Sequence, residues 1–355
     1  MALTLHGTVA DNTVVLSRQN TKPLIINGAM TINQRGTVTG ITSPSTYTLD
    51  RMRADIRGGF TVQVAQSTDV PSGYGFAKSL KLDVTTADAS PDANGLLLLG
   101  YHFEGQDLQL LKYGTSSAET TTIAFWIKSN KTGTFQVNLR MVEAYHIGQL
   151  VTISSSNTWE KKVITFVGNT ANAHANDTSS EMRIQFFFDS GSDNEGGGVP
   201  SSWASVAENK SYNGTLNLGD NTANEVLITG IQLEVGEFDV NSIAPFQHES
   251  YGDSKTRCQR YFIGDSELVP TTSVTTATTI QGTPQFRTEM RASPTATHVA
   301  TGGFGLVGGS WTTTSLIVSN IGVNGGRFAV NMDTSNGVTL QLAQQGLPCT
   351  LSAEL

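Results

Sequence analysis

The sequence predicts an all-β protein: a jelly-roll β-sandwich, a short helical connector, then a smaller C-terminal β-sandwich. Three observations predict it. Apolar and polar residues alternate with a period of two in run after run, the pattern of antiparallel sheets with one buried and one wet face. Only 15% of the residues are charged and 36 are Gly, so the balance of Thr, Ser and Asn suits short strands joined by polar turns. At 355 residues the chain exceeds one typical domain.

The elements follow in order. Residues 1–23 hold two modest strand-like pieces, LTLHGTVA and NTVVLSRQ, read either as a docking segment that adds strands to a partner sheet or as an extra edge strand. Residues 24–250 make the jelly roll, with strands predicted over 60–66, 79–86, 121–129, 133–142, 161–168, 182–189 and 224–236. Turn material such as PDANG, SNKTG and DSGSDNEGGGVPSS separates them. Gly230 marks a bulge, and Pro245 ends the pairing because it has no N–H to donate. In the connector, residues 251–262, Asp253 or Ser254 caps a helix, and Cys258, Tyr261 and Phe262 share one stripe at i, i+3, i+4. So short a helix is marginal alone, so the stripe packs on the sandwich or at a subunit interface. Residues 263–355 form the C-terminal β domain from the runs TSVTTATTIQG, TPQFRTEMRA, TTTSLIVSNIG, GRFAVNMDTS and GVTLQLAQ.

The formal net charge of −8 is spread out. No basic run supplies a phosphate-backbone footprint, which argues against nucleic acid as a partner. No apolar stretch approaches the length that crosses a bilayer, and the N-terminus lacks the order of a secretory signal; a soluble chain without membrane insertion is expected. Cys258 and Cys349 form no C-x-x-C, which excludes zinc-ribbon and redox motifs. They read as two separate reduced thiols in or near cores.

Several islands carry a family resemblance. LIINGAMTINQRG, YTLDRMRAD and IQLEVG…APFQHESYGDSKTRCQRYF, with FRTEMRASPTAT and the closing LSAEL, resemble a recurrent set in bacteriophage virion proteins. Met52, Ala244 and Gln247-His248-Glu249 depart from that set, as packing or surface changes. The resemblance implies a jelly roll similar to carbohydrate-binding modules, in a tail fibre or spike subunit that attaches to the host surface. It also implies a homotrimer, other virion proteins and a host-surface glycan or protein as partners, and a place in the virion after assembly in the host cytoplasm. A head fibre or capsid decoration protein without a receptor role is the first rival, and a carbohydrate-active enzyme with a binding module the second.

Catalytic chemistry is not expected. The six His residues form no H-x-H or H-E-x-x-H, and there is no nucleophile elbow or P-loop. The carboxylate pairs Glu104 with Asp107 and Glu143 with Glu160 read as structural or solvated acids rather than glycosidase pairs. No cofactor is expected apart from a possible Ca²⁺, for which Asp189, Asp193 and Glu195 offer oxygen ligands, off the EF-hand spacing; a solvated Gly-rich loop is the plainer reading. Sugar binding needs exposed aromatics. Trp203, Tyr212 and Trp311, in loop-like surroundings, are the expected glycan or receptor contacts. Trp126 lies on a strand, sharing a face with Ala124 and Lys128 opposite Phe125 and Ile127. That neighbourhood favours partial exposure, whereas burial in a core is the commoner fate of Trp.

Overall fold

The computed structural model describes residues 22–141, 144–264, 272–276, 279–282, 286–298, 303–306, 309–332 and 349–355. In chain order the sandwich strands are β1 (Val38–Ile41), β2 (Thr46–Tyr47), β3 (Met52–Arg57), β4 (Thr61–Ser67), β5 (Ser79–Thr86), β6 (Leu96–Glu104) and β7 (Thr121–Ser129). They continue with β8 (Gly133–Met141), β9 (Tyr145–Ile153), β10 (Glu160–Phe166), β11 (Ser180–Ser190), β12 (Ala204–Ser205) and β13 (Glu225–Val235). One antiparallel sheet runs β1-β4-β5-β13-β7-β10 and the other β12-β9-β8-β11-β6-β3-β2. The chain crosses between the sheets repeatedly, at β1 to β2, β3 to β4, β5 to β6, β6 to β7, β7 to β8, β9 to β10, β10 to β11 and β12 to β13, the connectivity of a jelly roll. Among the described residues no helix is long and apolar enough to cross a membrane.

Alternation builds the core. Leu80 and Leu82 of β5, Ile123, Phe125 and Ile127 of β7, and Ile184 and Phe186 of β11 meet in one cluster between the sheets. Phe125 and Phe186 touch edge to face at 5.1 Å, a favoured arrangement of ring quadrupoles. Strand β13 changes phase midway: Val226 and Ile228 face the core, then Ile231 and Leu233 do. The extra residue is absorbed by a register shift between Thr229 and Gln232, with Gly230 at φ +64°, the bulge expected there. Strand β6, between β11 and β3 in the second sheet, is buried along its whole length. It therefore shows no alternation, and a period-two reading passes over it.

After β13 comes α1 (Tyr251–Gln259). Its cap is Ser250, one turn earlier than Asp253 or Ser254: the Ser250 hydroxyl accepts from the Asp253 N–H and donates to the Asp253 carboxylate at 2.6 Å. Cys258 and Tyr261 are buried against Ile26 and Ile32, so the stripe packs on the chain's own sandwich. Phe262 leaves that stripe and opens β14 (Phe262–Ile263), because the helix ends before it.

The C-terminal region holds β15 (Thr272–Thr276), β16 (Thr279–Gly282), β17 (Thr295–His298), β18 (Gly303–Leu306), β19 (Gly309–Gly322), β20 (Gly325–Met332) and β21 (Cys349–Ser352). They form two smaller sheets, β14-β21-β17 and β15-β16-β20-β19-β18. Both cysteines are buried thiols. Residues 286–292 are bends and irregular chain, where a strand was expected; the GVTLQLAQ run and residues 1–21 lie outside the described residues.

The C-terminus returns to the sandwich. Arg51, 1% exposed, donates to Glu354 at 2.8 Å and to the His102 carbonyl at 2.5 Å, and lies 3.5 Å from the Tyr261 ring centroid. Arg35 donates to the other Glu354 oxygen at 3.0 Å while stacking on Phe262 at 3.6 Å. Arg291 donates to the Ala353 and Glu354 carbonyls, and the Tyr47 hydroxyl donates to the Leu355 carbonyl. Removing one member of a buried ion pair strands the other's charge. Glu354→Gln is therefore expected to cost about 3–5 kcal/mol of stability in chemical denaturation; an unchanged midpoint would contradict the role of this pair.

Candidate functional site

The outer face of the first sheet carries a cleft of about 430 Å³, within the roughly 300–1,000 Å³ range of small-molecule sites. Its floor is the outward side of β7, where Trp126 is partly exposed while Phe125 and Ile127 on the inner side are buried. The loop between β4 and β5 supplies one wall. There Tyr74 stands between Gly73 and Gly75, at φ +85° and +79°, a left-handed conformation that glycine adopts without strain. The loop holds Tyr74 56% exposed with its ring 4.3 Å from that of Trp126, inclined by 48°. The two rings make one angled aromatic surface.

The opposite wall is the segment between β13 and α1. Phe246 and His248 pack on Phe76 at 5.1 and 5.0 Å, and His248 Nε2 lies 3.1 Å from the Tyr74 carbonyl, which pins the two walls together. The Gly230 bulge makes room for them. A Cβ there would stand 2.5 Å from the Phe76 ring and 3.2 Å from Trp126. Besides His248, Gln232 and Lys161 bring polar side chains to the cleft. Gln232 donates its amide N–H to the Ala244 carbonyl at 3.0 Å. Lys161 stands directly across the ladder from Trp126, and burial lowers its ammonium pKa from the ordinary value. Among the described residues, no carboxylate lines the cleft.

The residues expected to contact a ligand lie elsewhere. Tyr212 is fully buried in a cluster with Leu96, Leu98 and Phe187, because its loop folds onto the outer face of the second sheet. It donates to the Phe188 carbonyl at 3.3 Å, and burial pushes its phenol pKa far up. It is a packing residue and not a contact. Trp203 is partly buried against the main core; its indole N–H donates to the Val167 carbonyl at 2.7 Å and its ring meets Tyr113 edge-on. Trp311 belongs to β19, where its backbone pairs with Phe304; its side chain lies outside the described residues.

A second, polar cleft of about 350 Å³ includes Asp189 and Glu195 with Asp88 and Asp220, but not Asp193. The Asp189 oxygens accept from the Ser190 and Gly219 N–H groups, each at 2.8 Å, and burial pushes its carboxyl up to about 6. Among the described residues no group of three His, Cys, Asp or Glu is placed to hold a metal ion. Of the carboxylate pairs, Glu104 is gripped by Arg260 through two 2.8 Å bonds and by the Tyr261 hydroxyl at 2.5 Å. Burial alone would raise its carboxyl, but these donors hold it below the usual range. Glu160 pairs with Lys162, and Glu143 lies outside the described residues. The sequence signal for the cleft was the GYGF run, an aromatic set between glycines.

No family model matches the chain, and no curated protein matches it. Solved structures do. One is a putative sugar binding protein from Bacteroides thetaiotaomicron, with 13% identity and TM-score 0.35, covering 60% of this chain and 100% of that one. A second is the family 11 carbohydrate-binding module of a Clostridium thermocellum cellulosomal cellulase, with 12% identity and TM-score 0.28, covering 57% and 97%. The enzymatically active domain of tailspike protein 4 of bacteriophage CBA120 matches at 12% identity and TM-score 0.32, covering 60% of this chain and 21% of that one. What the cleft can hold follows from its own residues. Gly230→Ala is expected to lose about 1–3 kcal/mol of stability, since it combines a positive-φ backbone with a clash; a chemical-denaturation midpoint equal to that of the parent would contradict the bulge's role.

Proposed function

We propose that this chain is a non-enzymatic virion subunit of the phage fibre or spike kind, and that its sandwich holds a host-surface glycan in the Tyr74–Trp126 cleft. The cleft carries the proposal. The C–H face of a pyranose is weakly positive and flat, and it packs on the electron-rich face of an aromatic ring. Tyr74 and Trp126 offer two such faces at an angle, and Gln232 and Lys161 at the margin suit the sugar's hydroxyls. Binding rather than turnover fits a site whose lining includes no carboxylate, because glycoside hydrolysis ordinarily needs a pair.

The virion part rests on the sequence islands. Their residues converge in space: Arg35, Arg51, Tyr261, Phe262, Arg291 and Glu354 meet at one junction. This supports reading them as the signature of one architecture. Homotrimerisation and attachment to other virion proteins belong to the same proposal.

The test is a glycan array probed with the intact chain and with Trp126→Ala, each verified as folded by circular dichroism. Truncating an anchoring aromatic costs about 2 kcal/mol or more, so binding is expected to weaken about 30-fold or more. Undiminished binding by the variant, or no retained glycan at all, would overturn the proposal.

A further inference from the structure

Four lysines stand on the strands of the first sheet. Lys81 bridges Asp83 and Glu225, at 3.3 and 2.6 Å; Lys128 pairs with Asp69 at 2.7 Å; Lys162 pairs with Glu160 at 2.5 Å. Lys161 differs from all three. Among the described residues its side chain forms no ion pair and no hydrogen bond, yet it lines the aromatic cleft. Asp69, which serves Lys128, also accepts the Trp159 indole N–H at 2.9 Å. A cation partly withdrawn from water loses some of its hydration, and an opposite charge brought beside it offsets that loss. Lysine's long stem covers apolar surface while its head stays free to meet a charge. Here Lys161 is the cross-strand partner of Trp126, and both line the cleft.

We infer that the cleft selects a pyranose bearing a carboxylate, a hexuronate-type unit, with its ring on Tyr74 and Trp126 and its carboxylate on Lys161 Nζ. The inference rests on the sugar-binding reading above and narrows it. A neutral sugar would leave the ammonium without a counter-charge, whereas a uronate brings one at the ring's edge. The carboxylate accepts a charge-assisted hydrogen bond, the stronger kind.

The probes are oligosaccharides of galacturonate, glucuronate and mannuronate, each beside its carboxyl-reduced neutral counterpart. They are titrated calorimetrically against the intact chain, Lys161→Gln and Trp126→Ala. At least one uronate is expected to bind the parent about tenfold or more tightly than its reduced form. Lys161→Gln is expected to bring that ratio close to one, because it weakens the uronate far more than its reduced form. Added salt is expected to erode the preference in the parent, because the pair is partly open to solvent. Equal affinity for every uronate and its reduced form, or a preference that survives Lys161→Gln, overturns the inference. If Trp126→Ala still abolishes binding in that case, the sugar-binding reading stands; if neither form of any pair binds the parent, both fall.

Discussion

The buried ion pair between Arg51 and Glu354 is the constraint around which the rest is arranged. Taking two full charges out of water is expensive, and the attraction offsets the cost only when further partners complete the shell. Here they do. Arg51 also reaches the His102 carbonyl and lies on the Tyr261 ring, while Glu354 receives Arg35 as well. Those partners come from the leading segment, from β6, from just beyond α1 and from the C-terminus. Satisfying one guanidinium therefore fixes the helix on the sandwich and makes residues 349–355 part of the main body.

The same junction reaches the cleft. Arg257 of α1 binds Glu249 at 2.5 Å and the Pro23 carbonyl at 2.7 Å, anchoring the segment that carries Phe246 and His248. Gly28 lies against the other side of that segment: its carbonyl accepts from the Ile231 N–H at 3.0 Å, next to the bulge, and it leaves no room for a side chain between Ile231 and Phe246. The wall of Phe246 and His248 thus hangs on anchored backbone, and the His248 contact with the Tyr74 carbonyl ties the opposite loop to it. A site so held presents its aromatic faces already oriented, which lowers the ordering cost of binding.

Much of this was legible in the sequence and some was not. Alternation located β5 and β7 to the residue because each sets apolar core residues against smaller or polar residues on its outward face, and the Gly230 bulge was readable from glycine inside a strand. Strand β6 was illegible because burial on both faces erases the period. Trp126 was assigned the correct face by alternation; its exposure depended on how loops settle over a sheet, which no local pattern records. Tyr212 fell to the same cause in the opposite sense, since a loop residue folded onto the second sheet and became core. Arg51 and Glu354 are 303 residues apart. Their islands could be recognised one by one, but a contact between them has no local signature. Tyr74 was missed because a lone tyrosine between glycines reads as turn material until Trp126 is placed beneath it.

The most direct measurement is a crystal structure of the intact chain with the glycan it retains most strongly. A pyranose ring resting on Tyr74 and Trp126 is the expected result. A sugar bound elsewhere on the sandwich, with the cleft between Tyr74 and Phe246 empty, would contradict it.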